Sequence, residues 1–468
     1  MENDGDLTIE GLAPLIRKRR LSPVELTRFL LQRISQLQPE INAYITVTAT
    51  VALKQARQAE REIAQGHYRG VLHGIPISLK DQFCTRDIRT TAGSRILRRF
   101  VPGKNAAVVD RLLGAGCVLL GKTNLHEFAY GATNINPHYG PVRNPWDTNR
   151  ISGGSSGGSA ASVVSAQALA SLGTDTGGSI RIPSAACGCV GLKPTFGRIP
   201  LDGVIPLAFS LDHVGPLCRC VTDAAHLFEA LAKPDRWAVT EIHKGVQSLR
   251  IGVPRQYFFD RIHPEVRRAV LEAVAVFERL GAAIREVDLK GMGRTAQMAA
   301  EITGDEALAY HGKWMQRRPQ DYGKDVRSLL RQSKKTTAVS YIQAQQERQL
   351  YREHFARVLD SVHLLLAPTL PVVAPGIDQK EVKFGRFCED TRHALLRLTR
   401  PGNLSGLPAV SIPCGFSSEG LPVGLQLIGR PLDETTLLRA AYAYEQATPW
   451  HCRFPREGPE TGRLRRRT

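Results

Sequence analysis

At 468 residues and 42% apolar content, the chain can bury a large core and form one big α/β domain or two or three smaller ones. Lys plus Arg number 62 against 44 Asp plus Glu, a net charge of +18, but the clusters Arg17-Lys18-Arg19-Arg20 and Arg463-Leu464-Arg465-Arg466-Arg467 lack the interleaved aromatics of a single-strand nucleic-acid surface. An acidic start, MENDGDLTIE, and the lack of an apolar run of about 18 residues argue against a signal peptide or membrane span, so a cytoplasmic setting is expected. The nine cysteines include no CxxC pair, which points to neither a disulfide framework nor a zinc site.

In chain order, residues 22–66 read as helical. Ser22-Pro23-Val24-Glu25 is a capping box, and Val24, Leu26, Leu30 and Ile34 follow at roughly helical spacing. Short apolar runs bounded by Gly and Pro then predict buried strands at Gly74–Lys80, Cys117–Leu120 and Leu192–Pro194. A strand at Leu249–Val253, a helix entered at His263-Pro264 and a strand at Ala283–Val287 continue the alternation. Residues 295–360 are helical and charged, and strand character returns at Leu364–Pro368, Ala409–Ile412 and Val423–Ile428. No low-complexity linker divides the chain. This predicts a helical layer over 1–66, one α/β core over 67–452 with a helical cap at about 295–360, and a basic, disordered tail over 453–468.

Ser152 to Pro194 is the richest stretch. Two glycine-serine clusters, Gly153–Gly158 and Thr174–Ser179, bracket an Ala-rich segment read as one short element of helical propensity. A phosphate cradle fails here, because Ser159-Ala160 rather than Lys-Ser/Thr follows Gly158. Gly153-Gly154-Ser155-Ser156-Gly157 matches the nucleophile elbow G-x-S-x-G, a short match within a Gly/Ser-rich loop. A third reading joins both loops to Lys80. Ser179 follows two glycines at a predicted helix N-terminus, where backbone N–H groups can form an oxyanion hole, and Lys80 at a strand end can remove a serine proton.

These segments also resemble a known family. GGSSGGS (153–159) and GTDTGGSIR (173–181) are similar, in order and spacing, to the defining region of the amidase signature family. GIPISLKD (74–81), GKTNLHEF (121–128), GPVRNPWD (140–147), GLKP (191–194), SLDHVGP (210–216) and the segment 403–425 extend the likeness over residues 7–452. The resemblance implies a single α/β domain with a central mixed sheet covered by helices on both faces. It implies Ser179 as nucleophile, Ser155 after a cis peptide as bridging serine, Lys80 as base, and an oxyanion hole from the N–H groups of Thr176, Gly177, Gly178 and Ser179. Asp175 and Arg181 would brace that loop, and His73 would be structural.

On this reading Lys80 must be neutral, which requires burial to lower its pKa by about 3 units from about 10.4, at roughly 4 kcal/mol. No cofactor or metal is required, and the partner is a small-molecule amide rather than nucleic acid or membrane; a homodimer is left open. Within the family, the tRNA-dependent amidotransferase has a glutaminase component that carries an acidic residue where this chain has Leu396. That component also has a Tyr-Asp-Gly segment with no counterpart between 290 and 330. A stand-alone hydrolase of neutral amides, an amidase, is therefore expected, with the amidotransferase component or an esterase or carbamate hydrolase as alternatives. Tyr130, Ile135 and the 295–360 region, including Trp314 and Tyr322, are expected to line its pocket.

Overall fold

The computed structural model describes residues 7–232, 238–289 and 291–455. The start of the chain and most of the basic tail therefore lie outside the described residues. Eleven strands build one sheet: β1 (Tyr44–Val47), β2 (Pro76–Lys80), β3 (Val118–Thr123), β4 (Ala170–Thr174), β5 (Val190–Lys193), β6 (Val214–Cys218), β7 (Arg250–Pro254), β8 (Ala283–Val287), β9 (Leu364–Pro368), β10 (Ala409–Phe416) and β11 (Pro422–Gly429). Their order is β1-β3-β2-β4-β6-β5-β10-β11-β9-β7-β8. Strand β2 runs parallel to β3 and β4, β7 runs parallel to β8 and β9, and the remaining pairs are antiparallel. The fold is a single α/β domain in which helices flank a mixed sheet.

The pattern of burial explains the strand sequences. Central β9 (LLLAP) is buried at every position, so it reads as a continuous apolar run; edge strand β8 (AIREV) is mostly exposed and carries Arg285 and Glu286. Ser22 Oγ accepts from the N–H groups of Val24 and Glu25 and starts the helix Pro23–Ile41. The region 22–66 is not uniformly helical. Asn42 takes the left-handed conformation at φ 57° and ends the helix, and Tyr44–Val47 then pairs with β3 before a second helix, Ala49–Ala64. The region 295–360 comprises the helices Thr295–Arg317, Lys324–Ser333 and Ala338–Ser361.

Between the glycine-serine clusters the expected single element is in fact two, the helix Gly157–Val164 and the central strand β4. Ala170 and Leu172 favour helix weakly, but pairing with β2 on one side and β6 on the other overrides that preference. The consequence is positional. Because β2 and β4 are parallel, with Leu79 opposite Leu172, both strands end at one edge of the sheet, where Lys80 and Thr174 come together.

The helix Gly157–Val164 docks closely on that edge. A Cβ on Gly158 would lie 2.4 Å from the Asn124 carbonyl oxygen and 2.5 Å from that of Ala43, both backbone atoms. Gly158→Ala is expected to destabilise the fold by about 1–3 kcal/mol, seen as a lower urea midpoint; an unchanged midpoint would show that the helix can move away.

Candidate active site

Strand β2 delivers Lys80 to the interior, fully buried. Its Nζ donates to Ser155 Oγ and to Thr174 Oγ1, each at 2.7 Å. Thr174 Oγ1 donates in turn to Gln82 Oε1 at 2.9 Å. That uses the threonine's only proton, so toward Lys80 its oxygen can only accept. Ser155 is the partner through which a proton can reach Lys80. Burial pushes the Lys80 pKa down to about 7, against the opposing pull of Asp212 and Asp175. The Gly154–Ser155 peptide is cis, as the resemblance implies.

Ser179 sits in the loop that leaves β4, just ahead of the helix Arg181–Cys187. The N–H of Ser156 donates to the Ser179 carbonyl at 3.2 Å and ties the two serine loops together. Gly178 has φ +134°, and a Cβ there would meet Thr399 Oγ1 at 2.1 Å, so the loop requires glycine. Thr399 Oγ1 donates to the Gly177 carbonyl at 2.6 Å, while the Thr176 hydroxyl donates to Asp212. Among the described residues, no acceptor takes the backbone N–H of Thr176, Gly177, Gly178 or Ser179. Four free donors beside a serine can hold a developing oxyanion.

Behind this loop lies a buried ionic brace. Arg181 donates from Nε and Nη2 to Asp175 at 3.1 Å each, and to Gln426 and Asn403 at 3.0 and 2.7 Å. Asn403 Nδ2 also donates to Asp175 Oδ1 at 2.8 Å. Burial alone would raise the Asp175 pKa, but the Arg181 guanidinium outweighs it and holds the carboxyl well below the usual carboxylate range. Neither Asp175 nor Arg181 faces a reacting atom. His73, apart from the site, pairs with Glu62 at 3.1 Å.

A cavity of about 400 Å³ opens on Ser179, Thr176 and Gly177, with Tyr130 and the helical segment between Ala296 and Thr336 on its walls. Ile135 does not line it. That residue lies in a small hairpin and packs, half-buried, against an apolar cluster that includes Ala132, Ile151 and Leu395. Trp314 and Tyr322 are likewise behind the wall, where Trp314 stacks on Phe128, Tyr322 lies tilted to Phe128 and edge-on to His311, and the Tyr322 hydroxyl meets His311 Nδ1 at 3.0 Å. Their aromatic faces satisfy one another instead of a ligand. Sequence reasoning missed Thr174, Gln82, Asp212, Thr399, Arg392 and Arg400, the last two on the cavity wall. Thr174 and Asp212 lie inside the family-like segments 173–181 and 210–216, but nothing in the sequence shows which of these six residues folding would bury at the site.

A model of the amidase family matches residues 25–438. The chain belongs to the amidase family. It is 41% identical to the A component of a glutamyl-tRNA(Gln) amidotransferase from Geobacter sp. (strain M21), over 95% of this chain and 98% of that protein. A solved structure concerning a vestigial protein complex and the origins of an s-triazine catabolic enzyme superposes with a TM-score of 0.89, at 35% identity over 94% and 97% of the two chains. A bacterial aryl acylamidase of the amidase signature family superposes at 0.88, with 27% identity over 95% and 97%. Because curated relatives at this level of identity are amidotransferase components, they give the stand-alone expectation no support. No described helix is long and apolar enough to cross a membrane.

Breaking the brace should be costly. Asp175→Ala leaves Arg181 an uncompensated buried charge and is expected to lower stability by about 3–5 kcal/mol in chemical denaturation. A loss below about 1 kcal/mol would mean that Asn403 and Gln426 suffice to hold the guanidinium.

Proposed function

We propose that this amidase-family chain hydrolyses carboxylic amides through an acyl-enzyme on Ser179, with Ser155 and Lys80 relaying the proton. The observation that carries the reading is Lys80: a fully buried amine whose bonded partners are two hydroxyls, with its pKa lowered to about 7. In the proposed sequence the substrate carbonyl lies against the free N–H groups of residues 176–179. Ser179 Oγ attacks its carbon, the hydroxyl proton passes to Ser155, and the Ser155 proton passes to neutral Lys80. When the tetrahedral intermediate collapses, the relay returns a proton to the departing amine nitrogen and the C–N bond breaks. Water then attacks the Ser179 ester by the same route, releasing the acid and restoring the serine. Esters and carbamates differ only in the leaving group.

A second reading, release of ammonia from glutamine as one component of an amidotransferase, is favoured by the curated relatives. Against it stands Leu396, which lines the cavity where the family resemblance places an acidic residue. Both readings share the same chemistry and divide on substrate: glutamine as the preferred amide would establish the second.

Ser179→Ala is expected to lower kcat/KM for an amide by about 10⁴-fold or more, and Lys80→Met by about 10²–10⁴-fold. Near-wild-type activity in Lys80→Met would sink the relay and return the elbow reading. Because the base acts when deprotonated, kcat/KM should fall tenfold per pH unit below about 7 and level off above it. A profile flat from about pH 5 to 9 would show that Lys80 does not titrate in the reaction.

A further inference from the structure

Two arginines share the cavity of Ser179 and have no part in the relay. Arg400 is only 6% exposed, and Arg392 is partly buried. The Arg400 stem runs beside the oxyanion loop: a Cβ on Gly177 would lie 3.8 Å from its Cγ. Arg392 holds its guanidinium 5.9 Å over the ring of Tyr130, another cavity residue.

Among the described residues neither guanidinium makes an ion pair, and the buried Nε of Arg392 has no hydrogen-bond partner. The carboxylates nearest to them are engaged elsewhere. Asp325 pairs with His126 at 2.8 Å, Glu389 with Arg397 at 3.2 Å, and Asp390 caps a helix by accepting from the His393 N–H at 3.0 Å. Glu301 also lines the cavity, but it lies on the helix Thr295–Arg317 and accepts from Gln297 at 2.9 Å. Burial, and then the charge of Arg392, push the Arg400 pKa down to about 10, and burial lowers that of Arg392 against the weaker pull of Tyr130, Asp390 and Asp325. Buried charges in proteins are paired, and an unpaired cationic couple facing a reaction cavity is satisfied only when a ligand brings the anion.

We infer that Arg392 and Arg400 form a carboxylate subsite, so that the amide cleaved at Ser179 carries a carboxylate in the same molecule. The inference rests on the hydrolase reading of Ser179. It replaces the neutral amide expected from the sequence with an anionic one, such as the half-amide of a short dicarboxylic acid. Guanidinium suits this task because its planar fork pairs two N–H groups with the two oxygens of a carboxylate.

The test compares succinamate and glutaramate with their neutral diamides, succinamide and glutaramide, and with glutamine. Each half-amide should exceed its diamide in kcat/KM by at least about tenfold. That ratio should fall by about 10- to 100-fold in Arg400→Gln and in Arg392→Gln and return in part in Arg400→Lys. A ratio measured within one variant does not depend on how much of it folds. Glutamine turned over at the rate of glutaramate also supports the subsite, since it carries the same carboxylate.

A second measurement needs no substrate. A fluorophosphonate probe should label Ser179, and glutarate but not glutaramide should slow that labelling, with the protection lost in Arg400→Gln. Labelling that glutarate leaves unchanged, or diamides cleaved as well as half-amides, would overturn the subsite alone. Failure of the probe to label Ser179 would overturn the hydrolase reading, and the subsite with it.

Discussion

A lysine held without a carboxylate partner is the constraint around which this site is organised. Lys80 lies fully inside the protein, bonded to the hydroxyls of Ser155 and Thr174, and its pKa near 7 corresponds to about 5 kcal/mol of preference for the neutral amine relative to an ordinary lysine at 10.5. The sign of the linkage follows. The unfolded chain binds this proton more tightly than the folded one, so the penalty is full below about pH 7 and fades as pH rises toward 10.5. The rest of the fold must therefore supply the stability that Lys80 withdraws. A continuous core running from Leu7 to Tyr444 does so.

Geometry at the site descends from parallel pairing. Lys80 and Thr174 meet because β2 and β4 run in the same direction and end together, and the two serine loops emerge at that edge. Loops so rich in glycine would wander if left to themselves. They are fixed from outside, by Thr399 on the Gly177 carbonyl, by Asp212 on Thr176, and by the Asp175–Arg181–Asn403 brace beneath. Rigid anchoring of the carbonyls and side chains leaves the backbone N–H groups of 176–179 free, which is what oxyanion stabilisation needs.

The segment 392–403 links the serine loop to the cavity. Thr399 and Asn403 hold the loop 175–179, while Arg392, Leu396 and Arg400 form part of the cavity wall. A change of sequence here can reshape the cavity while the Lys80–Ser155–Thr174 hydrogen bonds across the sheet edge stay intact. That separation fits a family in which one fold is shared by proteins described as amidotransferase components and as an aryl acylamidase.

The sequence by itself determined the α/β class, eight of the eleven strands, the caps at Ser22 and His263, and the family, because these depend on local patterning and on motif residues in fixed order. Tertiary structure decided the rest. Strand β4 exists because β2 and β6 pair with it, against the weak strand preference of Ala170–Thr174, whereas Tyr44–Val47 is built of strand formers and only its pairing with β3 shows that it interrupts the helical region. Ile135, Trp314 and Tyr322 carried apolar or aromatic side chains that a pocket could use, yet packing between elements distant in sequence keeps them off the cavity surface. Conversely Arg392 and Arg400 read as two more charges in a basic chain. Only folding brings them beside Ser179 without a carboxylate to neutralise them, because burial and pairing are properties of what surrounds a residue and not of the residue itself.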